Sequence, residues 1–293
     1  MRLYLLGRGV QHSRSPGMWN GVFRALGLDW HYGLLDVTED GLPAALDHLR
    51  DPDVLGYNVT MPYKGWAFAR SEVRSRDVER VRGSNWLRLE DGRLAADNTD
   101  VEGARMLLGA IGPVDRALLL GAGGTAAAML AALDGQVDQV VVANRSVRTG
   151  VELAERASSW LGPGRVRAVG WEQRLAEAST ASLLINTTPL GMRDQRSPLE
   201  DLRPRDGALV YDTVYREGPT PLQLQAARWG LALADGLAHL EAQAVALLPH
   251  LGLGPEHAAL VRSCLRAAAG REPHRWRVPD PPDATAPGQA GTA

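Results

Sequence analysis

The chain has 293 residues, a formal net charge of -2 at pH 7 and one cysteine, Cys264. This length suits one large or two ordinary domains, and the near-neutral charge excludes a general binder of nucleic acid or anionic membranes. A single cysteine excludes an intramolecular disulfide and a multi-cysteine metal site. Because no apolar run is long enough for a signal peptide or a membrane span, we expect a cytoplasmic protein without membrane or nucleic-acid partners.

Short apolar runs alternate with longer amphipathic ones in the first part of the chain, which predicts a parallel α/β arrangement. Strands are expected at RLYLLG, HYGLLDV and GYNVT, and helices at PGMWNGVFRAL and LPAALDHL. The first helix is predicted to have Ser15 as its N-terminal cap and Pro16 as its first helical residue.

The run NVTMPYK contains Lys64, the single lysine among 32 basic residues. A bias toward arginine explains the missing lysines but not the one that is kept. A lysine amine can be tuned to give and take a proton, whereas an arginine guanidinium stays charged. A chance survivor on a solvated turn is the alternative interpretation, and it weakens once the neighbouring motifs are considered.

Small polar groups collect near the predicted strand ends of this half. They lie in HSRSP at residues 12–16, in NVTMPYK, at Asn85 and in NTD at residues 98–100. Hydroxyls, amides, one amine and one carboxylate suit a small polyhydroxylated acid, and Lys64 and Asp100 are the candidate proton carriers. Singly, each has a structural interpretation: Ser15 as a helix cap, Thr60 as a strand residue and Asp100 as the cap of the next helix.

A second series of strands is expected at RALLLG, QVVVAN, SLLINTT and GALVYDT, with the boundary between the two halves near residue 103. The first of these strands runs into a G-x-G-x-x-A pattern and then a helix. The pattern comprises Gly121, Ala122, Gly123, Gly124, Thr125 and Ala126. Its glycines allow backbone amides at a helix N-terminus to approach a pyrophosphate, which predicts a dinucleotide site. A glycine-rich structural turn is the alternative.

The following strand ends at the position that selects between NAD and NADP. An acidic residue there would bind the ribose 2′-hydroxyl and favour NAD. This chain has Asn144, Arg145 and Ser146 instead, with Arg148 close behind. Because a guanidinium matches phosphate geometry, the site predicts NADP. Two surface arginines at a helix start are the alternative, and it fits Arg148 better than Arg145.

As a set, these motifs resemble the shikimate dehydrogenase family from Gly7 to about Gly252. The matching motifs are HSRSP, NVTMPYK, Asn85, NTD, GAGGTA, NRS, NTTPLGM, DTVY and the segment from Gly236 to Gln243. The resemblance implies NADP-dependent interconversion of shikimate and 3-dehydroshikimate. It also implies an α/β fold of two domains, with the active site in the cleft between them and no metal.

The resemblance implies a domain division as well. A substrate-binding catalytic domain would occupy residues 1–103 and a Rossmann-like NADP-binding domain residues 104–236. Helices in residues 237–270 would return to pack on the substrate domain. Residues 271–293 carry five prolines and little apolar material, which predicts a disordered tail. A monomer and a homodimer both remain open.

Individual roles follow from the resemblance. Lys64 and Asp100 would form the catalytic pair. The substrate carboxylate would be bound by Ser13 and Ser15 with Tyr215 nearby, and the ring hydroxyls by Thr60, Asn85 and Gln243. The cofactor would contact the residues of the glycine pattern together with Asn144, Arg145, Ser146, Arg148, Thr187 and Gly236.

Five positions depart from the family's usual pattern. Gly9 stands where the family usually has proline, and Trp86 where it has threonine. Val101 replaces a glycine, Glu217 a proline and His239 a methionine. Two alternatives therefore stay open: a relative acting on quinate or on an amino- or otherwise modified shikimate, and a noncatalytic regulator that binds NADP(H) or a metabolite. The presence of both Lys64 and Asp100 argues against a regulator, since a sensor would not need both residues.

Overall fold

The computed structural model describes residues 1–200 and 203–276 of the chain, which form two six-stranded sheets with helices packed on them. The first sheet contains β1 (Arg2–Gly7), β2 (His31–Asp36), β3 (Val54–Val59), β4 (Val73–Arg74), β5 (Trp86–Glu90) and β6 (Arg93–Asp97). Its strand order is β2-β1-β3-β5-β6-β4. The accompanying helices are α1 (Ser15–Ala25), α2 (Leu42–His48), α3 (Lys64–Arg70), α4 (Arg76–Val81) and α5 (Thr99–Gly109).

The first sheet is mixed rather than purely parallel as expected. Strand β1 pairs in parallel with β2 and β3, but β5 pairs antiparallel with both β3 and β6. The hairpin from β5 to β6 turns at Asp91 and Gly92, which have φ values of 51° and 76°. An Asp-Gly pair is favoured at such a turn because both residues must adopt positive φ.

The second sheet is parallel throughout, as predicted. It contains β7 (Val114–Leu120), β8 (Val137–Asn144), β9 (Val166–Gly170), β10 (Leu183–Asn186), β11 (Leu209–Asp212) and β12 (Ala232–Ala234). Its strand order, β12-β11-β10-β7-β8-β9, is that of a Rossmann-type sheet. The order reverses between β7 and β10, where Leu120 lies opposite Asn186, and ligands bind at the carboxyl end of such a reversal.

Six helices complete the fold. They are α6 (Gly124–Ala132), α7 (Val147–Leu161), α8 (Arg174–Ala178), α9 (Pro221–Arg228), α10 (Gly236–Leu247) and α11 (Ala258–Ala269). Short 3-10 turns lie at Glu39–Gly41, Trp171–Gln173, Leu248–Leu251 and Pro255–His257. None of the helices in residues 1–200 and 203–276 is long and apolar enough to cross a membrane.

The C-terminal helices return to the first sheet, as the resemblance implied. A Cβ at Gly17 of α1 would lie 3.1 Å from Ala268 Cβ of α11, and a Cβ at Gly21 would lie 3.1 Å from Cys264 Sγ of the same helix. Cys264 is thus half-buried against α1. Helix α10 packs closely on α5, where a Cβ at Gly103 would come within 2.5 Å of the Gln243 backbone nitrogen.

Two local predictions are corrected. Helix α1 begins at Ser15 itself, with Arg14 in the cap position and no side-chain cap. The hydroxyl of Ser13 accepts the Ser15 N–H at 3.2 Å, so the chain turns into the helix one residue earlier than predicted. Asp100 does not cap α5: Asn98 does, because its side-chain oxygen accepts the Val101 N–H at 3.2 Å.

The predicted disordered tail is wrong for residues 271–276. The Trp276 indole donates to the Leu107 carbonyl at 3.0 Å, and Arg271 pairs at 2.6 Å with Asp235, which is buried. The buried Asp235 carboxylate attracts Arg271, because an unpaired charge in the protein interior is costly. The remainder of the predicted tail, residues 277–293, lies outside the described residues.

Candidate active site

A cleft of about 610 Å³ runs between the carboxyl ends of the two sheets. It brings together both predicted catalytic residues and all predicted substrate-binding residues: Ser13, Ser15, Thr60, Lys64, Asn85, Asp100, Tyr215 and Gln243. Of the predicted cofactor residues, Thr125, Thr187 and Gly236 line the same cleft. Side chains far apart in the sequence thus share one cavity.

Lys64 and Asp100 form the ion pair at the centre of the cleft. Each lies in the first turn of a helix, and Lys64 Nζ is 2.6 Å from Asp100 Oδ2, with side chains 18% and 11% exposed. Burial would raise the pKa of the Asp100 carboxyl, but the Lys64 ammonium and the His239 imidazole outweigh it and hold that pKa below its usual value. Asp100 is therefore ionised at neutral pH and holds the lysine amine in place.

Asn85, Thr99 and Gln243 form a hydrogen-bonded bridge across the substrate side of the cleft. The Asn85 amide donates to the Thr99 hydroxyl at 2.9 Å, and the Thr99 N–H donates back at 2.7 Å. The Thr99 hydroxyl in turn donates to Gln243 Oε1 at 3.1 Å. Two predicted hydroxyl-binding amides are thus held by one threonine.

Ser13, Ser15 and Tyr215 lie at the other end of the substrate side. Burial raises the pKa of the Tyr215 hydroxyl, and its hydrogen bond with Ser13 partly offsets this. Asn58 also lines this region, and its side-chain oxygen accepts from the Tyr32 hydroxyl at 2.8 Å. Neutral hydroxyls and amides gathered in this way can bind a carboxylate by hydrogen bonding.

Trp86 faces away from the cleft. Its ring lies in the core beneath the C-terminal helices, fully buried with Trp19 and Leu248. A Cβ at Gly56 would come within 2.5 Å of that ring, so the glycine on β3 makes room for it. Since adjacent strand residues point to opposite faces, the Trp86 departure leaves the Asn85 side of the sheet unchanged.

Three other departures also have local explanations. Gly9 has φ +67°, and its N–H donates to Asp36 Oδ1 at 2.8 Å. Proline could satisfy neither condition, because its φ is fixed at a negative value and it has no backbone N–H. Val101 is buried in the core between α5 and α6, and Glu217 lies on the exposed surface.

The glycine pattern forms the turn from β7 into α6 at the strand-order reversal. Gly121 has φ +104°, and Gly123 occupies the cap position of α6 with open space around it. The Thr187 hydroxyl donates to the Leu120 carbonyl at 2.7 Å, which packs the end of β10 against this turn. A methyl group on Gly124 would lie 3.8 Å from Lys64 Cδ, so the turn directly faces the Lys64–Asp100 pair.

The predicted 2′-phosphate residues lie at the end of β8. Asn144 donates to the Ser146 carbonyl at 3.0 Å, and the Ser146 hydroxyl caps α7 by accepting from Thr149 N–H. Arg145 is exposed. Arg148 pairs with Glu152 at 3.0 Å on the surface of the helix, with 84% of its side chain exposed.

Two residues that the sequence did not assign lie beside the Lys64–Asp100 pair: His239 lines the cleft, and Tyr211 is fully buried behind it. The Tyr211 hydroxyl lies 2.7 Å from His239 Nδ1, and His239 Nε2 lies 3.7 Å from Asp100 Oδ1. His239 was visible in the sequence only as a departure from the family pattern. Tyr211 had no signal beyond its place before the DTVY motif.

The fold and the site define a two-domain α/β protein with a Rossmann-type nucleotide-binding sheet and a polar cleft. The family model for the shikimate dehydrogenase substrate binding domain matches residues 5–87. The shikimate dehydrogenase (NADP(+)) of Rhizobium rhizogenes is 37% identical over 252 residues, covering 83% of this chain and 86% of that protein. The chain belongs to the shikimate dehydrogenase family.

Two further relatives match over more of the chain. The shikimate dehydrogenase (NADP(+)) of Geobacter metallireducens is 36% identical over 274 residues, covering 90% of this chain and 96% of that protein. The crystal structure of shikimate 5-dehydrogenase from Thermus thermophilus, in complex with NADP(H) and shikimate, superposes with a TM-score of 0.80 at 33% identity. That superposition covers 92% of this chain and 99% of that one.

Proposed function

We propose that the chain interconverts shikimate and 3-dehydroshikimate with NADP as the hydride carrier, in the cleft between the two sheets. The observation that carries this proposal is the position of the Lys64–Asp100 pair. It lies among hydroxyls and amides on the substrate side and directly faces the glycine turn on the nucleotide side. A proton-handling pair between a polar acid pocket and a dinucleotide turn fits oxidation of a secondary alcohol.

The residues at the turn fit a dinucleotide. The open space at Gly123 would let a pyrophosphate approach the backbone, and the first N–H groups of α6 lack carbonyl partners within the helix. We assign the glycine pattern, Thr187 and Gly236 to cofactor binding. Asn144, Arg145, Ser146 and Arg148 are assigned to the adenosine end. The exposed Arg145 guanidinium suits a 2′-phosphate.

NADP would supply the hydride chemistry of the reaction. The Lys64–Asp100 pair handles the accompanying proton, taking it from the substrate hydroxyl during oxidation and returning it during reduction. The ionised Asp100 carboxylate orients the amine through the 2.6 Å contact. Burial of the Asp100 carboxylate and of most of the Lys64 side chain limits access of competing water and keeps the pair in one geometry.

Substrate orientation is assigned to the two ends of the substrate side. Ser13, Ser15 and Tyr215 would bind the carboxylate. Thr60, Asn85 and Gln243 would bind the ring hydroxyls. Because Thr99 holds both amides, their positions are fixed by the fold, so the hydroxyl pattern of the substrate is selected by a rigid surface.

Two observations favour shikimate over the modified substrates. Within the described residues, the carboxylates lining the cleft are Asp100 and Asp194, and Asp194 is engaged by Arg196 at 2.6 Å. Neither is free to bind a substrate amine. Since Trp86 lies outside the cleft, it adds no room for the extra hydroxyl of quinate.

The domain division is also proposed, with a substrate domain at 1–103, a nucleotide domain at 104–236 and returning helices at 237–270. These boundaries fall within α5 and at the start of α10. The two helices pack on each other at Gly103 and Gln243, so they join the two halves at the cleft.

The test is a steady-state assay of shikimate, quinate and aminoshikimate, each with NADP+ and NAD+. We expect shikimate with NADP+ to have the highest kcat/KM, at least about tenfold above quinate. An unpaired buried hydroxyl costs about 1–3 kcal/mol, which supports this ratio. Quinate turnover equal to that of shikimate would contradict the assignment. Binding of NADP+ without turnover of any substrate would indicate the regulator instead.

A further inference from the structure

His239 lies on the side of α10 that faces the cleft, one turn after Gly236 and one turn before Gln243. Its side chain is 10% exposed and lies near the Asp100 oxygen that Lys64 does not contact. Lys64 holds Asp100 Oδ2 at 2.6 Å, whereas His239 Nε2 lies 3.7 Å from Asp100 Oδ1. The two oxygens of one carboxylate thus face two different nitrogen groups.

Tyr211 determines which nitrogen of His239 carries the proton. Within residues 1–200 and 203–276, the Tyr211 hydroxyl has one hydrogen-bond partner, His239 Nδ1 at 2.7 Å. Tyr211 is fully buried, and burial raises the pKa of its hydroxyl well above the usual value, so the hydroxyl keeps its proton. A buried O–H without an acceptor is costly, so it donates to Nδ1 and the ring carries its hydrogen on Nε2.

We propose that His239 is a positioning residue for the Lys64–Asp100 pair, and that Tyr211 sets the tautomer in which it works. This inference rests on the proposed dehydrogenase function. The Nε2–H group lies 3.7 Å from Asp100 Oδ1, which is too long for a hydrogen bond, and restrains rotation of the carboxylate electrostatically, because Lys64 alone restrains only the other oxygen. A carboxylate held at both oxygens keeps the lysine amine aligned with the substrate hydroxyl during proton transfer.

The kinetic test compares four variants with the wild type: His239→Leu, His239→Gln, Tyr211→Phe and the double variant with Leu and Phe. We expect His239→Leu to lower kcat about tenfold and to leave the KM for shikimate within about twofold, because the contact orients rather than binds. His239→Gln keeps an N–H donor and should recover kcat to within about threefold of the wild type. Tyr211→Phe should lower kcat about threefold alone and not at all beside His239→Leu.

Tyr57→Phe is the matched control. Tyr57 is also a fully buried tyrosine whose hydroxyl contacts a histidine, His48 Nδ1 at 2.9 Å, but this histidine, unlike His239, does not line the cleft. Its kcat should stay within about twofold of the wild type. Equal kcat values for the Leu and Gln variants, or additive effects of His239→Leu and Tyr211→Phe, would overturn the proposal.

A second readout does not depend on turnover. The chain has seven histidines, and the signals of His239 in a [15N]histidine NMR spectrum can be identified by their loss in His239→Leu. At neutral pH we expect protonated Nε2 and bare Nδ1, and loss of this preference in Tyr211→Phe. Protonation at Nδ1 would overturn the inference. A wild-type protein with the expected tautomer but no shikimate turnover would instead refute only the proposed function.

Discussion

On the substrate side of the cleft, side chains from distant segments hold one another: Thr99 binds both Asn85 and Gln243, and Lys64 binds Asp100. On the nucleotide side, the predicted contacts are backbone groups at the glycine turn and the exposed Arg145. The substrate side is therefore arranged by the protein's own interior. The nucleotide side consists of a backbone turn and a charge on the protein surface.

This difference separates the expected effects of mutation. A change on the substrate side disturbs groups that must be aligned when the proton moves, so it should act on kcat. A change on the exposed nucleotide side removes a single contact to one form of the cofactor, so it should act on KM.

Asp100→Asn should lower kcat for shikimate by about 10²–10⁴, because it removes the charge that holds the Lys64 amine. Since Lys64 is the only lysine, [13Cε]lysine labelling gives a single side-chain NMR signal, which should shift in this variant. Steady-state kinetics and this spectrum together check the prediction. A shifted lysine signal with unchanged kcat would mean that the ion pair is structural.

Removing residues 271–293 should lower the free energy of unfolding by about 3 kcal/mol, the usual cost of breaking a buried ion pair. Asp235, the buried N-terminal cap of α10, would lose Arg271, and Glu241, buried within α10, would lose Arg275 and keep Arg262. A chain that ends at Trp276 keeps these contacts and is the matched control in urea denaturation. Equal stability of the two truncated chains would contradict the prediction. The test bears on both sides of the cleft, because α10 contributes residues to each of them.

Asp212 should make stability fall as pH rises. Burial raises the pKa of its carboxyl to about 6, although hydrogen bonds from Thr220, Asn186, Gln223 and the Val214 N–H partly offset this. Between the unfolded pKa of about 3.9 and the folded value, the folded state binds more proton, so about 2–3 kcal/mol of stability is lost on raising the pH from 4 to 7.

Asp212→Asn removes this titration. In urea denaturation at several pH values, the stability of the variant relative to the wild type should improve as the pH rises through that window. Asp100 behaves oppositely: its pKa is lowered, so its contribution is present above the unfolded pKa and is lost as the pH falls. A difference between wild type and Asp212→Asn that is independent of pH would contradict the account.

Arg145→Ala should have the smallest effect, raising the KM for NADP+ about tenfold and leaving the KM for NAD+ within about twofold. The lost interaction is one charge-assisted bond to the 2′-phosphate. Arg93→Ala, in the hairpin of the other sheet, is the control for loss of a surface charge. Equal weakening toward both cofactors would assign Arg145 to the shared phosphates or to the fold.

Local patterns in the sequence predicted the glycine turn and four of the six strands of the second sheet, because a strand, its turn and the following helix are neighbours in the chain; β9 and β12 were not predicted. The direction in which Trp86 points was not predicted, because no strand was expected at residues 86–90, and the alternation of strand residues between faces explains it only once β5 is known. The Tyr211–His239–Asp100 arrangement was not, because its members come from three elements that meet only after folding. The place of Trp276 on Leu107 is likewise a long-range contact with no local signal.

The most direct test of the central claim is the turnover of shikimate with NADP+ by Lys64→Arg, which keeps the positive charge but cannot release a proton at neutral pH. We expect kcat to fall at least about hundredfold. The calorimetric dissociation constants of NADP+ and shikimate should stay within about fivefold of the wild type. A Lys64→Arg enzyme that turns over shikimate at nearly the wild-type rate would contradict the claim, because a fixed charge beside Asp100 would then be sufficient.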